Sequence, residues 1–197
     1  MFADGRPVLI DVGVETYTAK TFSAQRYDIW TMQSAYHNLP TINGVMQKDG
    51  AQYRAEHVTF TPSLDEVRFS LDIAKAYPAE AKVSQWQRTV ELKRASHEFD
   101  LTEAFVLSAF VQPVRLSLMT PLLVDTSVSG EVRLREPAGA RQYTLRYDSS
   151  KLSASSEEIP ITDARLRSSW GGRLARVTLI GRSITLRDEY RITMRYP

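Results

Sequence analysis

The 197-residue sequence contains no cysteine. Disulfide bonds, thiolate nucleophiles and thiolate metal ligands are therefore excluded. Only three histidines are available as nitrogen ligands or imidazole bases. A chain without cysteine is compatible with the cytosol and with export from a bacterial cell, so the cysteine count leaves the localisation unknown.

The sequence also lacks a long apolar run, a strong net charge and the common catalytic signatures. No stretch of about 18 apolar residues occurs, which predicts that no helix crosses a membrane. Residues 1–6 lack a basic stretch followed by an apolar one, so we expect no signal peptide in this chain. The net charge of +2 is too small to indicate a nucleic-acid partner. Neither a glycine-rich phosphate loop nor a nucleophile elbow is present.

The sequence does contain a repeated alternation of apolar and polar residues, which is typical of β-strands with one buried face. Turn dipeptides such as Asn43-Gly44 and Asp49-Gly50 separate these runs. The apolar share of 43% is that of a globular protein. We therefore expect one all-β domain, residues 1–197, built as an antiparallel sandwich with few or no helices. The alternating runs are residues 67–73, 89–93, 98–102, 142–147 and 190–196.

Residues 16–47 differ from the rest of the chain because they are aromatic and poor in alternation, and long irregular segments are often functional. His37 lies in this segment, and Asp11 precedes it in an apolar run where a carboxylate needs a partner. The two could act as metal ligands, for which zinc is suitable, or as an acid/base pair. His37 could instead contact substrate or bond a backbone carbonyl, and Asp11 could cap the backbone.

Four polar residues of the same segment could line a sugar-binding cleft, since amides and arginine suit hydroxyls and carboxylates. They could equally hold the loop against the sheet. Trp30, Trp86 and Tyr77 could stack on sugar rings or anchor the core. We expect His57 and His97 to be surface or packing residues. Glu157 and Glu158 are expected as a solvated pair on a polar stretch, residues 148–158, that is a connection or an edge strand. The four candidate substrate-binding residues are Arg26, Gln33, Tyr36 and Asn38.

Several sequence segments, by their order and spacing, resemble the C-terminal domain of the heparinase II/III-like polysaccharide lyases. The resemblance is carried mainly by the first half of the chain. The segments that carry it are Asp4-Gly5-Arg6-Pro7-Val8-Leu9-Ile10-Asp11-Val12-Gly13, Arg26-Tyr27-Asp28-Ile29-Trp30, Tyr36-His37-Asn38, Ile42-Asn43-Gly44-Val45 and Ala76-Tyr77-Pro78.

The resemblance implies a β-sandwich of the super-sandwich type, which in the family accompanies an N-terminal α/α-toroid. Family members cleave acidic polysaccharides, such as glycosaminoglycans, by β-elimination in a cleft between the two domains. The principal acid/base tyrosine belongs to the toroid, and an upstream histidine motif completes the catalytic set. Because this chain starts at Met1, we expect both to be missing from it and assign no catalytic residue. Whether the chain is an enzyme stays uncertain at this stage.

Residue by residue, the resemblance matches Asp11 and His37 to two ligands of a structural zinc found in metal-bearing relatives. The third ligand of those relatives belongs to the upstream motif. The expected function is therefore one wall of a lyase cleft, inactive alone, with an acidic polysaccharide and a toroid domain as partners. The alternative is a stand-alone carbohydrate-binding or interaction module. We also expect an apolar patch near Trp30 and Tyr36, which suggests a homodimer.

Overall fold

The computed structural model describes residues 1–137, 139 and 141–195. This part contains fourteen strands, and every strand pairing in it is antiparallel. The strands are β1 (Phe2–Ala3), β2 (Arg6–Pro7), β3 (Pro40–Thr41), β4 (Glu56–Pro62), β5 (Glu66–Asp72), β6 (Val83–Lys93), β7 (Glu98–Leu107), β8 (Arg115–Thr120), β9 (Leu123–Asp125), β10 (Glu131–Arg135), β11 (Gln142–Tyr147), β12 (Leu152–Pro160), β13 (Arg173–Gly181) and β14 (Arg187–Arg195).

The strands form two packed sheets and one small hairpin. The large sheet has eight strands in the order β4-β5-β6-β7-β14-β11-β10-β9, and the small sheet has four in the order β12-β13-β8-β3. The hairpin pairs β1 with β2 through a turn at Asp4 and Gly5, both of which have positive φ. This arrangement confirms the expected all-β antiparallel sandwich.

The core lies between the sheets because alternate residues of each strand point inward. Leu101 and Ile192 lie opposite each other in the large sheet, and Leu118 and Val177 do so in the small one. All four are buried. The interpretation of Trp86 and Tyr77 as core anchors is confirmed, since both are buried as well.

The predicted alternating runs coincide with strands β5, β6, β7, β11 and β14, although Tyr196 lies outside the described residues. One inward position departs from the expected burial. Phe69 is exposed although Leu71 and Ile73 on the same face are at least half buried. The small sheet therefore leaves the β4–β5 end of the large sheet uncovered.

The polar stretch of residues 148–158, which the sequence allows to be a connection or an edge strand, includes most of the edge strand β12. Glu157 and Glu158 lie on this strand and form ion pairs with Arg176 and Arg173 of β13, at 2.6 and 3.2 Å. The two glutamates are thus exposed, as expected, and each forms an ion pair with an arginine on the neighbouring strand. His57 lies exposed near the start of β4, as predicted.

In the part of the chain that the structure describes, helical structure is limited to one α-helix, α1 (Ala164–Trp170), and short 3-10 turns. Asp163 caps α1 by accepting a hydrogen bond from the backbone of Leu166 at 3.0 Å. In the described ranges no helix is long and apolar enough to cross a membrane. The 3-10 turns are Ala19–Phe22, Arg26–Asp28, Trp30–Met32, Ser34–Tyr36, Ala74–Ala76 and Ala79–Ala81.

Candidate functional site

Residues 8–12 enter the sandwich as a buried apolar run, but they are not part of a strand ladder. The sequence pattern is β-like, whereas the structure connects this run to the small sheet through single bonds, such as Ile10 N to Met119 O at 2.9 Å. Ile10 and Val12 pack into a small second cluster with Met119 and Leu174. Asp11 lies between these two buried residues and points outward, where it is exposed.

The structure brings the candidate metal ligands Asp11 and His37 into direct contact. His37 Nδ1 lies 2.7 Å from Asp11 Oδ2, and Nε2 lies 3.1 Å from the carbonyl oxygen of Thr31. A carboxylate and a carbonyl both accept hydrogen bonds, so both ring nitrogens act as donors and the ring is an imidazolium. The second Asp11 oxygen accepts from the backbone of Gly13 at 2.9 Å. Pairing and backbone capping, which the sequence presents as alternatives for Asp11, thus occur together.

The contact shifts both ionisations in the directions expected for an ion pair. The hydrogen bond to Asp11 raises the pKa of His37, and partial burial opposes this rise. The hydrogen bond from His37 lowers the pKa of Asp11. The contact therefore favours the charged forms of both groups, and their opposite charges balance each other.

The donors near Asp11 and His37 do not fit zinc by themselves. Zinc normally takes three or four protein ligands, and imidazole binds it through a nitrogen lone pair. Both nitrogens of His37 face oxygen acceptors here. Among the described residues, no group of three or more His, Asp or Glu side chains could hold a metal ion. Zinc binding at this pair stays a prediction, and it requires His37 to exchange a present partner and at least one further ligand to be supplied.

Asn38 bonds three parts of the chain, two through its side-chain amide and one through its backbone carbonyl. Its Nδ2 donates to Ile10 O at 2.9 Å, and its Oδ1 accepts from Met119 N at 2.8 Å. Its backbone oxygen accepts from Arg88 Nη1 at 2.6 Å. The amide is used to fix residues 8–12 against strand β8, so the loop-holding interpretation describes Asn38 in this structure.

Gln33 has a similar but weaker role at the surface. Its Nε2 donates to Tyr27 O at 2.8 Å. Together with Tyr27, Ser34 and Gln47 it lines a cavity of 180 Å³. A cavity of this size with amide and hydroxyl groups on its wall can accept part of a sugar ring, so Gln33 remains a candidate contact.

Tyr36 lies between an indole ring and a guanidinium. Its ring meets Trp30 edge to face, with 5.3 Å between centroids, and the Arg176 guanidinium lies 4.3 Å from its centroid. Trp30 Nε1 donates to Glu15 at 2.7 Å. Both aromatic residues are half buried, so their own rings contribute little to the apolar patch expected near them, and the homodimer stays a prediction.

The exposed aromatic surface of the segment lies earlier, in residues 17–27. Tyr17 and Phe22 are exposed and meet edge to face with 5.7 Å between centroids. The Arg165 guanidinium of α1 lies 5.5 Å from the Tyr17 ring centroid. Tyr27 and the candidate residue Arg26 are also exposed. This set, Tyr17, Phe22, Arg26, Tyr27 and Arg165, is called the aromatic surface below.

A buried ion pair in the large sheet contacts the irregular segment at Asn38. Sequence analysis did not include this pair among the candidate residues. Glu103 of β7 is fully buried and accepts hydrogen bonds from Arg88 of β6 and from Trp86 Nε1 at 2.5 Å. Arg88 Nε donates to Glu103 Oε1 at 2.7 Å while its Nη1 reaches the Asn38 carbonyl. The available signal was the phase of the alternation, since Glu103 occupies an inward position between Leu101 and Phe105.

Arg176 was not among the candidate residues, and its role depends on long-range contacts. Arg176 pairs with Glu157 and lies over the Tyr36 ring, and its Nη1 also donates a hydrogen bond to Ala35 O at 3.1 Å. Its buried Nε has no hydrogen-bond partner among the described residues. No local pattern in the sequence places β13 beneath residues 34–36, so sequence analysis had no basis for this assignment.

Comparisons with known proteins identify the fold and leave the family unassigned. No family model matches the sequence, and no curated protein matches it significantly. The heparan sulfate lyase HepC from Pedobacter heparinus matches with a TM-score of 0.69 and 14% identity, over 98% of this chain and 29% of that chain. A mutant of the same lyase matches with a TM-score of 0.70, 14% identity, 98% of this chain and 29% of that chain. A heparinase III structure matches with a TM-score of 0.65, 14% identity, 98% of this chain and 28% of that chain.

These matches support the expected resemblance at the level of fold. The chain spans less than a third of the length of the lyases it matches. At 14% identity the likeness concerns the fold alone. The protein has the β-sandwich fold found in part of several heparan sulfate lyases.

Proposed function

We propose that this chain is the β-sheet domain of an acidic-polysaccharide lyase and forms one wall of a substrate cleft. The observation that carries the proposal is the fold match over 98% of the chain to part of heparan sulfate lyases. The guanidinium groups of the aromatic surface, Arg26 and Arg165, support it, because a uronate or sulfate group needs positive charge nearby.

β-Elimination requires a base, a group that neutralises the uronate carboxylate and an acid for the leaving oxygen. In this chain both ring nitrogens of His37 are engaged, one by the Asp11 carboxylate and the other by the Thr31 carbonyl. The same contacts leave the ring without a lone pair to take a proton, so it is a poor base in this arrangement. The described residues thus favour substrate positioning over complete catalysis.

The second candidate is a carbohydrate-binding module without chemistry, and the aromatic surface favours it. Tyr17 and Phe22 expose their rings beside Arg165. Aromatic rings next to cations can stack on sugars and pair with their acidic groups without any acid or base. The two candidates share glycan binding and differ in whether the chain contributes to bond cleavage.

The first prediction tests binding with heparan sulfate, alginate and a neutral glucan. We expect the two acidic glycans to bind and the neutral one not to bind, with an affinity that falls as salt rises. Tyr17→Ala and Phe22→Ala should each weaken binding by about 2- to 10-fold, the loss expected for one aromatic contact. Isothermal titration calorimetry measures this, and Ile184→Ala, at an exposed apolar residue between β13 and β14, is the control.

The same samples test catalysis through the ultraviolet absorbance of the unsaturated product. We expect no turnover above a heat-killed control, because each absent proton-transfer group lowers the rate by roughly 10²–10⁴. Turnover by the pure chain would contradict the assignment as a supporting wall. Equal binding of neutral and acidic glycans, or no glycan binding at all, would overturn the acidic-polysaccharide proposal.

A further inference from the structure

The β4–β5 hairpin exposes an unusual amount of apolar surface for an edge of a sheet. Phe60 is 62% exposed and Leu64 at the hairpin tip is 92% exposed. Val58 and Phe69 are exposed as well. Large apolar side chains that cluster on a surface indicate an interaction site.

The hairpin is held in place by specific bonds. Ser63 N donates to Glu66 O at 2.7 Å across the tip, and Arg94 Nη1 donates to the carbonyl oxygens of Ser63 and Leu64 at 2.9 and 3.0 Å. On the outer face, Ser70 and Thr89 form a buried hydroxyl contact of 3.0 Å between β5 and β6. The apolar residues are therefore presented on a fixed surface.

Two of the exposed apolar residues, Phe60 and Phe69, belong to the inner face of the sheet. Phe60 lies opposite Phe69, Phe69 lies opposite Val90, and Val90 lies opposite the buried Leu101. These four residues form an apolar row across the sheet, which runs from the buried core at Leu101 to the edge strand β4. The β4 end of the row lies outside the area that the small sheet covers. An element that added to β4 would extend both the hydrogen-bond ladder and this apolar row.

Strand β4 is an edge strand that pairs with β5 alone in the large sheet. Its outer backbone groups are available to another strand, which is how edge strands recruit partners. The bulge between Glu56 and Thr59 and the missing N–H of Pro62 limit a new ladder to about four residues.

We propose that the β4 edge is a self-association surface, which pairs with β4 of a second copy around a two-fold axis. A two-fold axis perpendicular to the sheet keeps the inner faces together, so Val58 and Phe60 of each copy meet those of the other. Between Val58 and Pro62 the strand carries no charged residue. Self-pairing therefore meets no like-charge repulsion, which is destabilising between facing strand residues.

The other edges of the sheets are less suited to the same pairing. Strand β12 would place Glu157 and Glu158 of one copy near the same residues of the other. Strand β9 has three residues and ends in Asp125, and β3 has two residues. The combination of length, apolar side chains and neutrality occurs at β4, which makes a second copy the partner that fits best.

Sedimentation velocity of the full chain from about 1 to 200 μM tests the proposal, since short interfaces associate in roughly the micromolar range. We expect a discrete monomer–dimer equilibrium. Phe60→Lys should weaken the dimer at least 10-fold, because each copy then places an ammonium against the other. Phe22→Lys, at an aromatic residue that is 76% exposed elsewhere, is the matched control and should leave the equilibrium unchanged.

Hydrogen exchange supplies a readout that does not depend on the substitution. Amides of residues 58–61 should become more protected at high protein concentration, while those of residues 153–158 on the β12 edge should not change. A wild-type chain that stays monomeric throughout would overturn the proposal. So would a Phe60→Lys variant that dimerises normally, or a dimer that Phe22→Lys abolishes. Circular dichroism and thermal melting check that both variants remain folded.

Discussion

The two sheets and the irregular segment of residues 8–47 achieve order by different means. The sheets use backbone ladders with alternate apolar residues turned inward, as in the nine consecutive pairs of β12 and β13. The segment has four 3-10 turns and depends on side chains that bond distant backbone groups. Asn43, for example, donates to Ala81 O and Ala109 O and accepts from Val111 N and Gln112 N.

This difference indicates where a single substitution should lower the stability of the fold most. In a ladder each residue shares its backbone bonds with its neighbours, so a side chain contributes mainly through burial. In the segment one amide or guanidinium connects several chain regions, and its loss frees all of them. The buried Arg88–Glu103 pair belongs to both regions, because it lies in the large sheet and reaches the carbonyl of Asn38.

The largest effect is expected where the two regions meet. Glu103→Ala leaves the Arg88 guanidinium without its counter-charge and Trp86 Nε1 without its acceptor. Removing one partner of a buried ion pair costs about 3–5 kcal/mol. Urea unfolding followed by tryptophan fluorescence measures the change in the free energy of unfolding.

The control is Glu91→Ala, which removes the Arg68–Glu91 pair of 2.7 Å on the outer face of the same sheet. Arg68 is mostly exposed, so this change should cost less than about 1 kcal/mol. A Glu103→Ala variant as stable as Glu91→Ala would show that the buried pair does not hold the two regions together.

A smaller effect is expected at Asn38. Asn38→Ala removes the bonds to Ile10 O and Met119 N, and leaving such part-buried groups unpaired costs about 2–3 kcal/mol in total. Gln33→Ala removes one exposed bond and should cost less than about 1 kcal/mol. Chemical denaturation compares the two, and an Asn38→Ala chain of wild-type stability would favour a substrate-contact role instead.

The sheets were predictable because their information is local. A period of two over five to seven residues predicts a strand, and the inward phase assigns the buried positions. The same phase places Glu103 inward, but a pattern of apolar residues does not show which cation it meets. The exposure of Phe69 was unpredictable as well, since it depends on how far the small sheet extends across the large one.

The candidate site was predictable in part. Asp11 and His37 were expected together, and the structure places them 2.7 Å apart. The Thr31 carbonyl that occupies Nε2 and the Arg176 guanidinium over Tyr36 were not foreseen. Both depend on tertiary contacts that no spacing in the sequence encodes, and the aromatic surface likewise depends on which rings the turns leave outside.

The smallest effect concerns the pH dependence of the Asp11–His37 contact. The pKa of His37 is raised above 6.5, so its contribution is complete below 6.5 and is lost as pH rises through the folded-state value. The pKa of Asp11 is lowered below 3.8, so its contribution is complete above 3.8 and is lost as pH falls through the folded-state value. The stability difference between wild type and His37→Ala should therefore be largest between pH 3.8 and pH 6.5. It should reach about 1 kcal/mol at most, because Asp11 is largely exposed. Urea titrations from pH 4 to pH 9 measure it, and Asp11→Asn should give the same profile. A difference that stays constant across this range would show that the contact stabilises the fold without the charge on His37.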